Sequence, residues 1–333
     1  MKLSRIAASA LPALALLAAA PAAPHYSVVQ RIAGPDGGWD LVSVDTAHHR
    51  LLVGRDGAMA VDLATGAVTP KFVPGTRFHK AFAIPGTRLG LATAGAANKA
   101  ILFDSATGAV KAEVPTGANP DDAIYEPTSK TVWVMNARDG TATIVDPMAA
   151  KAVATVAIGG GLEGPALDGH GHLFVNIEDK NEIAEVDLAS RKVIKHIALT
   201  GCDGPTGLAY LSSGILVSAC ANGIAKLVRA STGALAGDIA IGPRPDGAFA
   251  DPARHRAYIP SGGDGTLTVL DTSGALPRAI ERVPTQAGAR TGAVDPATGR
   301  VYLPTARFGE PPAPGQRRQA VSGSFEVLVV AQR

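Results

Sequence analysis

The sequence has few aromatic residues and almost no excess charge. Phe, Trp and Tyr make up 5% of the 333 residues, and 31 Lys and Arg face 29 Asp and Glu. Two of the basic residues, Lys2 and Arg5, lie in the leader described below, so the remaining chain is formally neutral. A neutral protein lacks the long-range field that attracts polyanions, and unpaired bases need aromatic side chains on which to stack. The composition therefore argues against strong non-specific binding of nucleic acids.

Common catalytic motifs are also missing. The sequence contains no G-x-S-x-G, H-E-x-x-H, Walker or C-x-x-C-H motif, which removes the usual support for a serine hydrolase, a zinc protease, a nucleotide hydrolase or a c-type cytochrome. Residues 159–164 match G-x-G-x-x-G without a helical pattern after them, and residues 170–172 match H-x-H within a predicted turn. We interpret both as turn sequences rather than nucleotide or metal sites.

Long hydrophobic runs are confined to the N-terminus. Residues 6–20 are apolar, follow Lys2 and Arg5, and lead into small residues up to Ala23, a pattern typical of a cleaved secretory signal peptide. No second run of about 18 apolar residues follows. The pattern predicts a signal peptide at 1–23, one domain at 24–333, and a periplasmic or secreted protein without a membrane anchor.

Cysteine occurs twice, as Cys202 and Cys220. Disulfides persist in exported proteins, and both residues fall at predicted ends of neighbouring strands. We therefore predict a Cys202–Cys220 disulfide rather than a metal site or a reactive thiol.

A repeat of nearly constant length runs along the chain. In each unit a β-rich run ends on Asp, or once on Arg, and a Thr-Gly or similar turn leads into a valine-rich run. The marker residues are Asp62, Asp104, Asp146, Asp187, Arg229 and Asp271. Their spacings of 42, 42, 41, 42 and 42 residues predict a repeat architecture.

Each repeat contains four short β patterns separated by turn sequences. In one unit these are DAIYE, TVWVMN, TATIVD and KAVATVAI, and four strands in about 40 to 45 residues are typical of a propeller blade. The terminal segments 26–34 and 324–333 supply a fourth and a third strand, so we expect them to complete one blade together. The sequence thus predicts an all-β, seven-bladed β-propeller with four-stranded antiparallel blades.

Four strand sequences also carry a family resemblance. VWVMN (132–136), LFVNI (173–177), AYIPS (257–261) and VYLPT (301–305) resemble the YVTN repeat of bacterial seven-bladed propellers, and the whole mature chain resembles the exported YncE-like proteins of that family. The resemblance implies the propeller fold. It implies less about activity, because related propellers include lactonases, redox-enzyme subunits and proteins without known activity. It also makes single-stranded DNA binding a candidate activity.

Aligning the blades predicts a ring of ionisable side chains at one mouth of the central channel. We align the blades on the residue that precedes the first turn, such as Asp45 in the first blade. The position five residues before it is occupied by Asp40, His79, Asp121, Glu163, Asp246 and Arg290. In the fifth blade the register slips, which leaves Pro205 or Thr206, with Asp203 nearby. Innermost strands line the channel, so these side chains should converge. Asp122 follows no pattern in the other blades.

The ring supports several uses. Carboxylate oxygens bind divalent cations such as calcium, with Asp121, Glu163 and Asp246 as the candidate ligands; no other cofactor is predicted. Alternatively, the mouth binds a small polar ligand or a protein partner. A third hypothesis is a lactonase-like hydrolase or isomerase, in which a carboxylate or His79 is the acid or base and Arg290 orients an anion. Since polar loops at a channel mouth need no catalytic role, we predict a monomeric binding or scaffold protein and assign no catalytic residue.

Two other surfaces stand out. Residues 306–324 form a long proline-rich loop with Arg317 and Arg318, predicted to lie over or beside the ring. The turns on the opposite face are basic and are the candidate surface for a polyanion or other partner. They carry His48, His49, Arg50, Lys130, Arg191, Lys192, Arg254, His255, Arg256 and Arg300.

Overall fold

A computed structural model describes residues 25–311 and 318–333, so the signal peptide predicted for residues 1–23 lies outside the described residues. The described residues form 28 β-strands in seven four-stranded antiparallel sheets. They include three short 3-10 turns, at Gly95–Ala97, Glu178–Lys180 and Pro252–Arg254. No helix in this part of the chain is long and apolar enough to cross a membrane.

The strands run in chain order along the described residues. The first fourteen are β1 (Tyr26–Ala33), β2 (Val42–Asp45), β3 (Arg50–Arg55), β4 (Gly57–Asp62), β5 (Val68–Val73), β6 (Phe78–Ala83), β7 (Leu89–Ala94), β8 (Lys99–Asp104), β9 (Val110–Pro115), β10 (Pro120–Glu126), β11 (Thr131–Asn136), β12 (Thr141–Asp146), β13 (Lys151–Ala157) and β14 (Leu162–Leu167). The others are β15 (His172–Ile177), β16 (Glu182–Asp187), β17 (Lys192–Ala198), β18 (Pro205–Tyr210), β19 (Ile215–Cys220), β20 (Ile224–Arg229), β21 (Ala234–Ala240), β22 (Phe249–Asp251), β23 (Arg256–Ser261), β24 (Thr266–Asp271), β25 (Arg278–Pro284), β26 (Ala293–Val294), β27 (Val301–Thr305) and β28 (Glu326–Gln332).

The sheets are the blades of a seven-bladed β-propeller, which confirms the predicted fold. Blades 1 to 6 are β2–β5, β6–β9, β10–β13, β14–β17, β18–β21 and β22–β25, and blade 7 has the order β26, β27, β28, β1. The first strand of the chain pairs with the last, from Tyr26 opposite Gln332 to Ala33 opposite Glu326. The predicted closure by the two terminal strands is therefore present, and it removes the open edges that a strand-built ring would otherwise expose.

The hydrophobic core lies between neighbouring blades. Trp133 and Ile144 of blade 3 pack in one cluster with Leu173 and Val175 of blade 4. Second and third strands are buried on both faces, whereas fourth strands such as β13 are mostly exposed. This arrangement explains why the apolar runs are continuous in the middle strands and interrupted at the rim.

The repeated Asp residues have a structural role in the turns between third and fourth strands. The Asp62 carboxylate accepts hydrogen bonds from the backbone N–H groups of Ala64 and Thr65 and from the Thr65 hydroxyl. The same contacts recur at Asp104 with Ala106 and Thr107. The Asp that marks the repeat thus accepts hydrogen bonds from backbone N–H groups in a tight turn.

Four of the innermost strands, β6, β10, β14 and β18, carry β-bulges at the channel mouth. In β10 the register passes from Pro120 opposite Asn136 to Ala123 opposite Val134, so Asp121 and Asp122 together oppose one residue. Blades 2 and 5 have the same shift. A bulge breaks the alternation of side chains, so two consecutive residues can face the channel.

The predicted disulfide is present. The Cys202 and Cys220 sulfur atoms are 2.05 Å apart, and their Cα atoms are 5.5 Å apart. The bond ties the loop that enters blade 5 to the end of β19, beside the channel mouth.

Candidate functional site

The structure places His79, Asp121 and Glu163 on the innermost strands β6, β10 and β14. Asp40, Asp246 and Arg290 lie two or three residues before the innermost strands of their blades. In blade 5 the equivalent residue is Thr206, one residue after Pro205 opposite Cys220, and its hydroxyl donates to the Pro245 carbonyl over 3.0 Å. Asp203 lies outside the ring, exposed in the preceding loop. We use the name ring layer for the seven residues at this position, which are Asp40, His79, Asp121, Glu163, Thr206, Asp246 and Arg290.

Hydrogen bonds between blades hold the backbone of the ring layer. The Thr93 hydroxyl donates to the Asp121 carbonyl, and the Thr291 hydroxyl donates to the Asp40 carbonyl, both over 2.8 Å. Because each bond joins one blade to the next, the ring side chains project from a fixed frame.

His79 lies between two carboxylates. Its Nδ1 is 2.6 Å from Asp40 Oδ2 and 3.0 Å from Asp121 Oδ1, and its side chain is 13% exposed. Burial disfavours the imidazolium, but the hydrogen bonds to Asp121 and Asp40 outweigh it and raise the pKa of His79 to about 10. His79 is therefore positively charged at neutral pH and neutralises part of the ring.

Arg290 links the two ends of the ring layer. Its Nε donates to Asp246 Oδ2 over 2.6 Å, and its terminal nitrogen lies 3.8 Å from Asp40 Oδ1. Burial raises the pKa of Asp246 to about 7, against the opposing effect of Arg290. A continuous chain of charged contacts thus runs from Asp246 through Arg290 and Asp40 to His79.

Glu163 is the ring carboxyl group that lacks a cation. Among the described residues it has no ion-pair partner, unlike Asp40, Asp121 and Asp246. Burial raises the pKa of Glu163 to about 10, and the negative charges of Asp121 and Asp246 add to the shift. The nearby Glu178 carboxyl also has a raised pKa, caused by burial and by Asp121. Glu163 is therefore protonated at neutral pH.

A second layer of residues lies next to the ring and was not predicted as a site. We call it the inner layer; its members follow the ring residues in sequence and are Leu41, Lys80, Asp122, Gly164, Gly207, Gly247 and Thr291. Lys80 Nζ is 2.6 Å from Asp122 Oδ1. The bulges turn both side chains toward the channel, so Asp122 has a partner that an alternating strand would not provide.

Glycines on the other side of the inner layer allow neighbouring blades to approach closely. A Cβ at Gly164 would lie 2.3 Å from the Thr206 carbonyl oxygen, and a Cβ at Gly207 would lie 2.3 Å from the Gly247 carbonyl carbon. No other residue type therefore fits at these two positions. Next to these glycines lies a cavity of about 320 Å³, here called the channel cavity, which is lined by Glu163, Asp246, Lys80 and Asp122 among others.

The Lys80–Asp122 pair should contribute measurably to stability. Lys80→Met leaves the buried Asp122 carboxylate unpaired, so we expect the free energy of unfolding to fall by about 2 kcal/mol. Denaturant titration of the variant measures this. Lys99→Met, which breaks the exposed Lys99–Glu113 pair, is the matched control and should change stability by less than about 0.5 kcal/mol. Equal effects of the two changes would contradict a buried pair in the channel.

Acidic residues neutralise much of the opposite face. Asp45 pairs with His48 and Arg50, each at 2.9 Å, and Asp251 pairs with Arg254 at 2.8 Å. His172, from the H-x-H motif, lies 2.8 Å from Asp168 through Nδ1. Several of the basic side chains predicted as a polyanion surface are thus occupied by local carboxylates.

The comparisons with known proteins concern the whole chain. No protein-family model matches it, and no curated protein matches its sequence. Among solved structures, a chain of Kuenenia stuttgartiensis hydrazine synthase has a TM-score of 0.72 and 14% identity, covering 80% of this chain and 92% of that one. A chain from the mitotic checkpoint complex has a TM-score of 0.73 and 15% identity, covering 91% and 95% respectively.

At such low identity the similarity shows a common fold and no more. This protein is a seven-bladed β-propeller. Propellers present loops around a central channel. The role of this one must be argued from its own channel.

Proposed function

We propose that this protein is an exported, monomeric, YncE-like propeller that binds a small polar ligand carrying an ammonium group in the channel cavity. The observation that carries the proposal is the position of Glu163, whose carboxyl group borders the cavity without a cation beside it. A cationic ligand there would supply the missing partner, and a charge-assisted hydrogen bond to a carboxylate is among the stronger polar contacts.

The charges around the channel support a cationic ligand. Three cations, His79, Lys80 and Arg290, already have carboxylate partners. Five carboxyl groups face them, so two negative charges would remain in excess if all five were ionised. Glu163 is the carboxyl group of the five without an ion-pair partner among the described residues. The raised pKa values of Glu163 and Asp246 agree with this excess, because protonation of a carboxyl group reduces it.

The size of the cavity favours an organic cation over a bare metal ion. A volume of about 320 Å³ lies within the range of about 300 to 1,000 Å³ found for small-molecule pockets. Asp40, His79 and Asp121 do bring three potential metal ligands within 4.8 Å of one another. However, His79 Nδ1 already pairs with both of these carboxylates, whereas Glu163 has no ion-pair partner among the described residues.

Isothermal titration calorimetry with ethanolamine tests the proposal, with ethylene glycol as the neutral analogue of similar size. We expect saturable binding of protonated ethanolamine and none of ethylene glycol. Because the bound ammonium group displaces the proton of Glu163, about one proton should be released per ligand near pH 8. Buffers with different ionisation enthalpies measure that number.

Variants locate the binding. Glu163→Gln should weaken ethanolamine binding at least about tenfold, which is about 1.4 kcal/mol, and abolish the proton release. Glu113→Gln, at an exposed position on β9, should change neither. Unchanged binding in Glu163→Gln would refute the site, and binding of calcium chloride in place of ethanolamine would show that the cation is a metal.

A further inference from the structure

A second cavity lies beside the ring layer, under the base of the long loop. Its volume is about 540 Å³, larger than the channel cavity. We call it the aromatic pocket and define it by six of the residues that line it. They are Trp39, Arg290, Phe308, Val321, Ser322 and Phe325.

Three aromatic rings form one wall of the aromatic pocket. The Trp39 ring lies 5.3 Å from the Phe325 ring and 6.1 Å from the Phe308 ring, at angles of 57° and 48°. The Arg55 guanidinium stacks on Phe325 at 4.0 Å and orients it. This arrangement provides an edge-and-face surface suited to a planar ring.

The two ends of the long loop 306–324 complete the pocket, and both are anchored to the propeller. Phe308 packs against Gly288, where a Cβ would lie 2.3 Å from its ring, and its backbone pairs with Ala320. The Asp36 carboxylate accepts hydrogen bonds from the Ser322 hydroxyl at 2.6 Å and from the Gly323 N–H at 2.8 Å. The pocket is therefore preformed, which lowers the entropic cost of ligand binding.

Two hydrogen-bond donors of the pocket, Trp39 and Arg290, are not fully used by the protein itself. Trp39 Nε1 is buried and has no hydrogen-bond partner among the described residues, although a buried N–H without an acceptor costs stability. The Arg290 side chain is 39% exposed, and only its Nε is engaged with Asp246 within hydrogen-bond distance. Asp36 also lines the pocket, but the loop contacts occupy both of its oxygens.

We propose that the aromatic pocket binds a small aromatic carboxylate. The ring of the ligand packs against Trp39 and Phe308, and its carboxylate accepts hydrogen bonds from the terminal N–H groups of Arg290. Bidentate pairing of a guanidinium with a carboxylate provides the selectivity for charge. This site has the opposite charge preference to the channel cavity and does not depend on the function proposed above.

Fluorescence of Trp39 reports ligand binding directly, because the protein has only two tryptophans. In a Trp133→Phe background Trp39 is the single indole, and titration with benzoate should quench its emission in a saturable way. Benzamide, which has the same shape but no charge, should bind at least about tenfold more weakly, and benzylamine should not bind. Calorimetry on the unaltered protein gives the same ranking if Trp133→Phe disturbs the core.

Variants separate the aromatic pocket from the channel cavity. Phe308→Ala, in the loop base, should reduce benzoate affinity at least about tenfold by removing one face of the ring site. Trp39→Phe, measured by calorimetry, should retain more affinity than Trp39→Leu, because a ring remains. Glu163→Gln should leave benzoate binding unchanged. Equal binding of benzoate and benzamide, or full affinity in Phe308→Ala, would overturn the proposal.

Discussion

Replacing His79 by alanine should lower the free energy of unfolding by about 3 kcal/mol at pH 6, within the range expected when one partner of a buried ion pair is removed. The change leaves Asp40 and Asp121 close together without the imidazolium between them. It also removes the cation that fixes both side chains, so the ring layer should loosen. Chemical denaturation followed by circular dichroism measures the loss.

The effect of His79→Ala should depend on pH in a defined direction. The folded-state pKa of about 10 lies above the value of about 6.5 for an unperturbed histidine. The stabilisation by His79 is therefore complete below about pH 6.5 and is lost as pH rises toward 10. The stability difference between the two proteins should shrink across that interval.

An exposed pair provides the control for His79→Ala. His196 lies 2.9 Å from Glu182, but its side chain is 43% exposed. His196→Ala should change stability by less than about 0.5 kcal/mol. A loss in His79→Ala that is as small as this, or that grows between pH 7 and pH 10, would show that His79 is not the buried cation of the ring.

Glu163→Gln should have the opposite effect and stabilise the protein by up to about 5 kcal/mol at pH 8. The pKa of Glu163 is raised to about 10 in the folded state, so the folded protein binds a proton that the unfolded chain releases above about pH 4.5. Each pH unit in that interval costs the wild type up to about 1.4 kcal/mol. Glutamine keeps the shape of the side chain and carries no charge, so it removes the cost.

Unfolding free energies at pH 4 and pH 8 test this expectation. The two proteins should be nearly equal at pH 4, where Glu163 is protonated in both states, and should diverge as pH increases. Glu113→Gln, at an exposed position, should not diverge from the wild type. If Glu163→Gln is less stable than the wild type at pH 8, the carboxyl group has a cationic partner after all. Greater stability together with weaker ethanolamine binding would identify Glu163 as a residue kept for binding at the expense of stability.

The fold and the ring could be predicted because both depend on a regular spacing. Turn residues such as Asp62 and Asp104 mark the repeat. Counting five residues back from the residue that precedes the first turn of a blade gives Asp40, His79 and Asp121 without knowledge of any contact. For the ring position of blade 5 the sequence left two candidates, Pro205 and Thr206, because the loop before this blade has a different length.

The inner layer and the aromatic pocket could not be predicted in the same way. An alternating strand places Asp122 away from the channel, and only the bulge in β10 brings it to Lys80. Trp39 and Phe308 meet because the ring closes, and no local pattern indicates a contact between residues so far apart in sequence. The protonation of Glu163 depends on burial and on the charges of other blades, which become visible only in three dimensions.

The pairing of β1 with β28 also has a kinetic consequence. Residues at the two ends of the chain must meet before blade 7 exists, and the backbone N–H of Arg333 donates to the His25 carbonyl over 2.7 Å. Contacts between such distant residues carry a loop-closure cost that must be met before they form. We therefore expect blade 7 to be the last blade to assemble. Trp39, Arg290 and Phe308 lie around this seam, so we expect the aromatic pocket to form only when the ring has closed.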